Sequence, residues 1–472
     1  MFETGSTIYA LSTPYGVSAV AVLRLSGRSA FTVAERLTGK AVGLLPRQAQ
    51  LCTVREIVSR ETIDQALVVP FPAPKSFTGE DLVEFQVHGS TAVIDALLEI
   101  LDQQPECRLA EAGEFSWRAL HNGKLDLLQV EGLANLLEAE TEAQRRLALG
   151  SVQGGLSGTL LHWRNEIENL QAELEAQIDF PDDGLDSFDL SLWQAKVHEV
   201  LRLVDRVLET HKPARWVREG LRVVLLGAPN VGKSTLLNAL SKREAAIVTS
   251  QPGTTRDAIG VEIRLAGVQV VLIDTAGLRA NPGLVEAKGI ERTETELQRA
   301  DLLLWVQDAT RRDTWRLPDI PFPSIDLWTL INKIDKISPD ETGSVSDGIL
   351  ISAQNGDGIV ELLARLERHI HEQLEPLQSQ TILTQARQVE AVSALRQSLR
   401  QAIGEESPDS RKVTIERADS VQHFSGYPTH SNGIELAAEQ IRAALLACDR
   451  VLGRNEPERM LDRLFSRFCI GK

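Results

Sequence analysis

At 472 residues and 43% hydrophobic content, the chain has the length for about three domains with real cores, and its formal charge of −16 excludes a global field that draws in nucleic acid. Any RNA contact then needs a local basic patch or a partner that supplies one. Cys52, Cys107, Cys448 and Cys469 show no CxxC or histidine pairing, which argues against a metal site or disulfide framework; with no apolar run of about eighteen residues and no basic start leading into an apolar core, a soluble cytoplasmic chain is expected.

Residues 1–120 alternate strand and helix patterns and predict a small α/β domain. Strands are expected at Thr7 to Leu11, Ala19 to Leu25, Gln65 to Phe71 and Asp81 to His88, and a helix at Ala92 to Leu101. The turns between them carry Arg24, Ser26 and Gly27, the run Ser76 to Asp81, Glu84, and His88 before Gly89. Taken singly these are surface decoration, and periodicity alone licenses no ligand site. From Leu120 to Arg218 the pattern is helical. Leu156, Leu160, Trp163, Ile167, Leu170, Leu174 and Ile178 recur at three and four residues, one apolar face of a bundle. Phe180 to Gly184 breaks it, and a second helix, Leu190 to His211, carries Leu192, Val197, Val200, Leu201, Leu203, Val204 and Val207. Basic residues gather over Lys212 to Arg222, which reads as a solvated linker or as a contact for RNA.

Leu221 to Leu226 is an apolar run with β-branched members, the pattern of a strand buried on both faces, and it enters the loop GxxxxGKS at Gly227 to Ser234. Such a loop wraps its backbone N–H groups around a phosphate chain, places Lys233 at the terminal phosphates, offers Ser234 to Mg2+, and starts a helix whose positive end meets the same anion. Asn230 within it reads either as an oxygen donor near the phosphates or as a turn-former. Gly253 to Asp257 lies at the distance of a switch segment, where Thr255 could complete the Mg2+ shell. Three further strands end in polar turns: Val268 to Ile273 before Asp274, Thr275, Ala276 and Gly277; Ile325 to Ile331 before Asn332, Lys333, Ile334 and Asp335; and Gly348 to Ile351 before Ser352, Ala353 and Gln354. In an open parallel sheet ligands sit beyond the carboxyl ends of the strands, so these turns predict one shared nucleotide. The base is expected to be guanine, because a buried Asp335 carboxylate would accept two hydrogen bonds from guanine and be left unpaired by adenine. Leu278 stands where many regulatory GTPases carry a water-orienting glutamine. Between Arg279 and Lys288 the one carboxylate is Glu286. Helical patterning resumes near Glu375 and includes Ile434 to Leu452, so the nucleotide domain is inserted between two halves of a helical domain. Gly404 to Gly433 has little periodicity and reads as a long loop with some local strand.

Over nearly its whole length the chain resembles the MnmE or TrmE family of tRNA-modifying GTPases. The resemblance rests on RLSG at Arg24 to Gly27, SFTGED at Ser76 to Asp81, VHG at Val87 to Gly89, GEFSWRALHNGKLDL at Gly113 to Leu127, REAAIVTSQPGTTRD at Arg243 to Asp257 and CIGK at Cys469 to Lys472. It implies an α/β plus all-α architecture: residues 1–120 an N-terminal α/β tetrahydrofolate-binding and dimerisation domain, residues 121–217 with 375–472 a helical bundle domain, and residues 218–374 an inserted P-loop, Ras-like GTP-binding domain. Homodimers would form through the N-terminal modules. The implied folate contacts are Arg24, Glu84, Lys124 and Lys472, holding 5-formyl- or 5,10-methylene-tetrahydrofolate. The GTP contacts would be Asn230, Val231, Gly232, Lys233, Ser234 and Thr235; Thr249, Ser250, Gln251, Pro252, Gly253, Thr254 and Thr255; Asp274, Thr275, Ala276 and Gly277; Asn332, Lys333 and Asp335; and Ser352, Ala353 and Gln354. Mg2+ would sit on Ser234 and Thr255, and K+ on Asn230, Thr249, Gln251 and Thr254. Catalysis would fall to Glu286, acting on water, with Lys233 and Thr255.

The resemblance further implies a heterotetramer with an MnmG-type flavoprotein, FAD and NADH belonging to that partner, and addition of a carboxymethylaminomethyl or aminomethyl group to carbon 5 of the tRNA wobble uridine. Cys469, in an apolar tail after Phe465 and Phe468, reads as packing. The chain departs from the family pattern at Ser90, Ala112 and Gln354, and in the length of the segment 404–433. Two other readings stand beside this one: a ribosome-assembly GTPase, which would carry a basic RNA-binding appendage, and a GTP-dependent dimer switch without folate chemistry.

Overall fold

The computed structural model describes residues 5–43, 45–179, 188–241, 260–274, 296–297, 299–311, 315, 325–338, 348–378, 382–405, 431–454, 461, 464–466, 468 and 470–471. They divide into two compact units: Met1–Glu138 with Ala148–Val200 and Ala391–Lys472, and Ala139–Leu147 with Leu201–Glu390.

The first unit begins with a mixed α/β layer. Its elements are β1 (Thr7–Leu11), β2 (Ser18–Ser26), α1 (Ala30–Thr38), β3 (Gln50–Arg55), β4 (Thr62–Phe71), β5 (Leu82–Gly89), α2 (Thr91–Asp102) and β6 (Cys107–Leu109). The strands order as β3-β4-β5-β2-β1-β6, antiparallel throughout except for the parallel β1–β6 pair. Alternate residues of β2 and β5, among them Ala21, Leu23, Val83, Phe85 and Val87, bury one face under Val33 and Leu37 of α1 and Ile94 and Leu97 of α2. The four predicted strands and the helix are present, with ends within one residue of those predicted except that β4 begins three residues earlier, at Thr62 rather than Gln65. The short strands β3 and β6 and helix α1 were not predicted. Gly89 closes β5 because a β-carbon there would overlap the backbone of Ser18 across the bulge at the start of β2.

Helices α3 (Glu114–His121), α4 (Leu127–Leu137), α5 (Glu142–Val152), α6 (Gly155–Asp179) and α7 (Leu190–Glu209) follow. Asp126 caps α4 by accepting from the Gln129 amide, and the Gln129 side chain returns the bond, a full capping box. The apolar stripe of α6 is buried from Leu156 to Leu174, as its spacing predicts, while Ile178 is half-exposed. Leu192, expected on the buried face of α7, is exposed; the adjacent Trp193 is buried instead and donates its indole N–H to the Leu170 carbonyl at 3.1 Å. The pairs Arg164–Asp449 (2.9 Å) and Arg442–Glu175 (3.1 Å) join α6 to the final helix, Ser431–Leu452, in opposite chain directions.

In the second unit α8 (His211–Glu219) follows the end of α7 and precedes the sheet. This corrects the linker reading of Lys212 to Arg222: Pro213, Ala214, Trp216 and Val217 are buried, and Trp216 and Val217 belong to the unit's main core. Then come β7 (Leu221–Leu226), α9 (Lys233–Ser241), β8 (Gly260–Leu265), β9 (Val268–Asp274), β10 (Leu302–Asp308), β11 (Asp326–Asn332), β12 (Ile349–Leu350) and α10 (Ile359–Leu374). The sheet order is β12-β11-β10-β7-β9-β8, with every pair parallel except β8–β9. Residues 221–225 and 302–306 are buried almost without alternation, as strands covered on both faces must be. Helix α11 (Ala386–Ala402) and α12 (Ser431–Leu452) complete the described elements; of the predicted loop Gly404 to Gly433, residues 406–430 lie outside them.

Candidate functional site

Parallel register brings the carboxyl ends of β7, β9, β10 and β11 to one edge of the second unit. Leu225 pairs with Asp274, Trp305 with Leu226, and Asp308 with Asn332. The loop after β7 is therefore flanked on both sides by strands that end in polar residues.

The loop's glycines are fixed by neighbours. Gly227 takes φ +149°, and a β-carbon on it would overlap the Val306 carbonyl; Gly232 takes φ +100°, and a β-carbon on it would overlap the Asn332 amide nitrogen. Asn230 adopts φ +65°, a left-handed conformation that asparagine tolerates better than most residues. Its side chain is exposed, as are those of Ser234 and Thr235, while Val231 and Lys233 are buried. Lys233 Nζ donates to the Gly227 carbonyl at 2.8 Å and the Ala228 carbonyl at 3.1 Å. Ser234 Oγ donates to Asp274 Oδ2 at 2.7 Å, so a hydroxyl from the loop and a buried carboxylate from β9 already adjoin.

On the other flank, Asn332 ties two turns to the loop. Its Nδ2 donates to the Val231 carbonyl at 2.8 Å and its Oδ1 accepts from the Ala353 amide at 2.9 Å. Ser352 Oγ donates to Asp335 Oδ1 at 2.6 Å. Lys333, at φ +68°, donates from Nζ to the Asn230 carbonyl and to Asp308 Oδ2, both at 2.7 Å. Three of the four predicted turns thus meet, and Asp274, the one described residue of the fourth, adjoins the loop. Two details differ from the sequence expectation. Asp335 is exposed rather than buried, because it follows the strand in a one-turn 3-10 helix at the surface; and the Ala353 amide is engaged by Asn332 rather than free for a base. Gln354 is exposed.

Asp308 was missed. Leu302 to Val306 is an apolar run followed by Gln307 and then Asp308, close to the signal that revealed β9 and Asp274, and it could have been found that way. Burial raises the Asp308 carboxyl's pKa, but hydrogen bonds from Lys333 and Thr310 outweigh it and hold the group below the ordinary carboxylate range. Thr249, Ser250, Gln251, Pro252, Gly253, Thr254, Thr255, Thr275, Ala276, Gly277, Glu286 and Lys472 lie outside the described residues.

In the first unit, Arg24 and Glu84 are register partners on β2 and β5, and Arg24 Nε donates to Glu84 Oε1 at 2.7 Å. Apart from the exposed Phe77, the turn Ser76 to Asp81 is built inward rather than presented to solvent. Thr78 and Ser26 hydroxyls share a buried hydrogen bond at 2.7 Å, Ser26 also donates to Glu80 at 2.8 Å, and Arg118 bridges Glu80 and the wholly buried Glu114, each at 2.9 Å. Asn122 Nδ2 donates to the Thr78 carbonyl at 2.7 Å, and a β-carbon on Gly79 would lie 3.1 Å from the Lys124 side chain. Surface decoration is therefore the wrong description of Ser26, Thr78 and Glu80: they hold the turn against β2 and the segment after α3. The C-terminal end returns to the same module. Ile470 pairs with Ala112, and the Gly471 carbonyl accepts from Ser12 Oγ at 3.1 Å.

Among the described residues no group of three or more histidine, cysteine, aspartate or glutamate side chains could hold a metal, and no helix is long and apolar enough to cross a membrane. Residues 127–469 match the family described as MnmE helical domain, and residues 7–124 the family described as GTP-binding protein TrmE N-terminus. The chain is 39% identical over 481 residues to the tRNA modification GTPase MnmE of Caulobacter vibrioides, covering 99% of each chain. It is 41% identical over 469 residues to that of Phenylobacterium zucineum, again covering 99% of each. The FeoB G domain of Methanococcus jannaschii is similar at 23% identity and a TM-score of 0.23, covering 32% of this chain and 97% of that one, too slight a superposition to bear on function.

Proposed function

The chain belongs to the MnmE family of tRNA modification GTPases, and from that membership we propose a potassium-stimulated GTP hydrolase that serves folate-dependent modification of the tRNA wobble uridine together with a flavoprotein partner. GTP hydrolysis in tRNA modification follows from the family; the finer assignments are our reading. The observation that carries it is the meeting of Asn230, Ser234, Asp274, Asn332 and Asp335 at one sheet edge.

Asp335 would read guanine, with Asn332 bracing the base-side turns and Ser352, Ala353 and Gln354 beside them. Because Asp335 is exposed here, its discrimination against adenine would arise only as a docking base excludes water. Lys233 would meet the β- and γ-phosphates, among the amides of Val231, Gly232, Ser234 and Thr235. The adjoining Ser234 hydroxyl and Asp274 carboxylate are a hard oxygen pair that suits Mg2+, with Thr255 as its further ligand. Asn230, Thr249, Gln251 and Thr254 would hold K+, and the two ions would supply positive charge where it develops in phosphoryl transfer. Thr275, Ala276 and Gly277 would line the γ-phosphate, with Ser250, Pro252 and Gly253 in the facing switch segment, and Glu286 would orient the attacking water.

Arg24, Glu84, Lys124 and Lys472 would hold a reduced folate. Support for this comes from the Arg24–Glu84 pair, the packing of Gly79 on Lys124, and the return of Gly471 to the first strand. We assign residues 1–120 to the folate and dimerisation domain, 121–217 with 375–472 to the helical domain, and 218–374 to the GTP-binding domain of a homodimer. FAD and NADH would belong to the partner, and tRNA is the substrate.

Glu286→Ala is expected to lower potassium-stimulated hydrolysis by roughly 100-fold or more while GTP still binds. Equal turnover in sodium, or normal hydrolysis by that variant, would remove the mechanism. Arg24→Ala is expected to abolish the spectral change on titration with 5-formyltetrahydrofolate. Nucleoside analysis of tRNA from cells lacking the chain should show loss of the modified wobble uridine.

A further inference from the structure

The geometry points to Asp308 as a positioning residue for the nucleotide site, acting through Lys333 to lock the base-side turn to the phosphate loop. Nothing in the sequence motifs assigns it a role. It ends β10 between the two strands that carry the loop and the Asn332 turn, and it is 5% exposed. Its two oxygens divide their work. Oδ1 accepts from the Thr310 amide at 3.0 Å and the Thr310 hydroxyl at 2.7 Å, which fixes the carboxylate's plane. Oδ2 then faces Lys333 Nζ at 2.7 Å.

Lys333 has a second acceptor, the Asn230 carbonyl at 2.7 Å. Both Lys333 and Asn230 adopt positive φ without being glycine, conformations that persist when the surroundings over-determine them. The ammonium held between a buried carboxylate and the Asn230 carbonyl is that determinant. A lysine without the carboxylate would gain rotamer freedom and water, and Asn230 would lose the donor that pins its turn. Asp308 reaches no bound group itself. Its effect is exerted on how long guanine nucleotide stays and, resting on the reading of Asn230 as a K+ ligand, on how tightly the loop holds that ion.

The test measures release of a fluorescent guanosine diphosphate from the full-length chain, with potassium titrated in a parallel hydrolysis assay. Asp308→Asn is nearly isosteric and is expected to speed release about tenfold or more, the effect of losing a charge-assisted hydrogen bond. It should also raise the potassium concentration for half-maximal hydrolysis more than it lowers the rate at saturating potassium. The double variant Asp308→Asn with Lys333→Ala should release nucleotide no faster than Lys333→Ala alone, because the aspartate acts through the lysine; additive effects would show a merely structural role and overturn the inference. Thr310→Val, at an exposed position, should speed release in the same direction by about twofold, and decides the matter if Asp308→Asn does not fold. Native release rates in the variants overturn the inference. Absence of guanine nucleotide binding by the native chain would instead overturn the functional reading on which it rests.

Discussion

Gly232 has room for no side chain: its φ of +100° is strained for any L-residue, and the Asn332 amide fills the space a β-carbon would take. Gly232→Ala therefore has to displace the group that holds the Val231 carbonyl, and is expected to weaken GTP binding by at least about tenfold in titration calorimetry. A milder effect would mean that Asn332 moves freely. Ser234 and Asp274 carry a different prediction, which rests on the proposed Mg2+ site at their contact. Asp274→Asn keeps the shape and removes the charge, so the Mg2+ concentration needed for half-maximal hydrolysis should rise well above the native value. These positions were legible in the sequence because their spacing fixes them along one chain segment. Asp308 follows an apolar run of the kind that precedes Asp274, but its partner Lys333 lies 25 residues further along the chain.

Helix α8 shows how a basic segment can be structural. Trp216 sits against His369 of α10, with ring centroids 5.6 Å apart, and Trp328 of β11 meets the same imidazole edge-on at 5.4 Å. Lys212 and Arg365 lie over the two indoles, so charged side chains cover aromatic surface. Burial depresses the His369 pKa; Asp326 and Glu372 oppose this, and Lys212 and Arg365 assist it. Burial likewise depresses His211, with Arg215 and Arg218 adding to the effect. A lowered folded-state pKa means that the unfolded chain binds the proton first. The stability these residues contribute is thus present above the ordinary histidine pKa and is lost as pH falls below it. Denaturant titrations between about pH 7 and pH 5 should show falling stability, and His369→Phe should reduce the slope by up to about 1.4 kcal/mol per pH unit. In the first unit the corresponding buried element is Glu114 between Arg108 and Arg118. Its replacement by alanine leaves guanidinium groups without that carboxylate and should cost about 3 kcal/mol.

Each unit of the whole molecule has its own core, one spread over the antiparallel sheet and its helices, the other over the parallel sheet. Two thermal transitions are expected, and GTP should raise the temperature of one of them by binding its folded state alone. Phe465 packs with Phe468 against Val130 and Ala134, and its backbone adjoins Gly113. Phe465→Ala should lower the other transition, by about 3 kcal/mol in stability, and leave the nucleotide-sensitive one in place. A single transition that both perturbations move together would show that the units do not unfold independently. The return of Phe465, Ile470 and Gly471 to a module built from the first 124 residues is a long-range contact that no local pattern announces.

By itself the sequence determined strands β7, β9 and β11, the long amphipathic helix α6, the glycine-rich loop and the polar turns at Asn332 to Asp335 and Ser352 to Gln354, because each is encoded within a few consecutive residues by period, glycine placement or strand-end chemistry. Only the tertiary structure decided that Lys212 to Arg222 is a packed helix, that Trp193 rather than Leu192 is buried, that the Ser76 to Asp81 turn is locked by Arg118, and that Asp308 reaches Lys333. Each of these depends on residues far apart in the chain, and partners of that kind become visible only when strand register and helix packing bring them within hydrogen-bond distance.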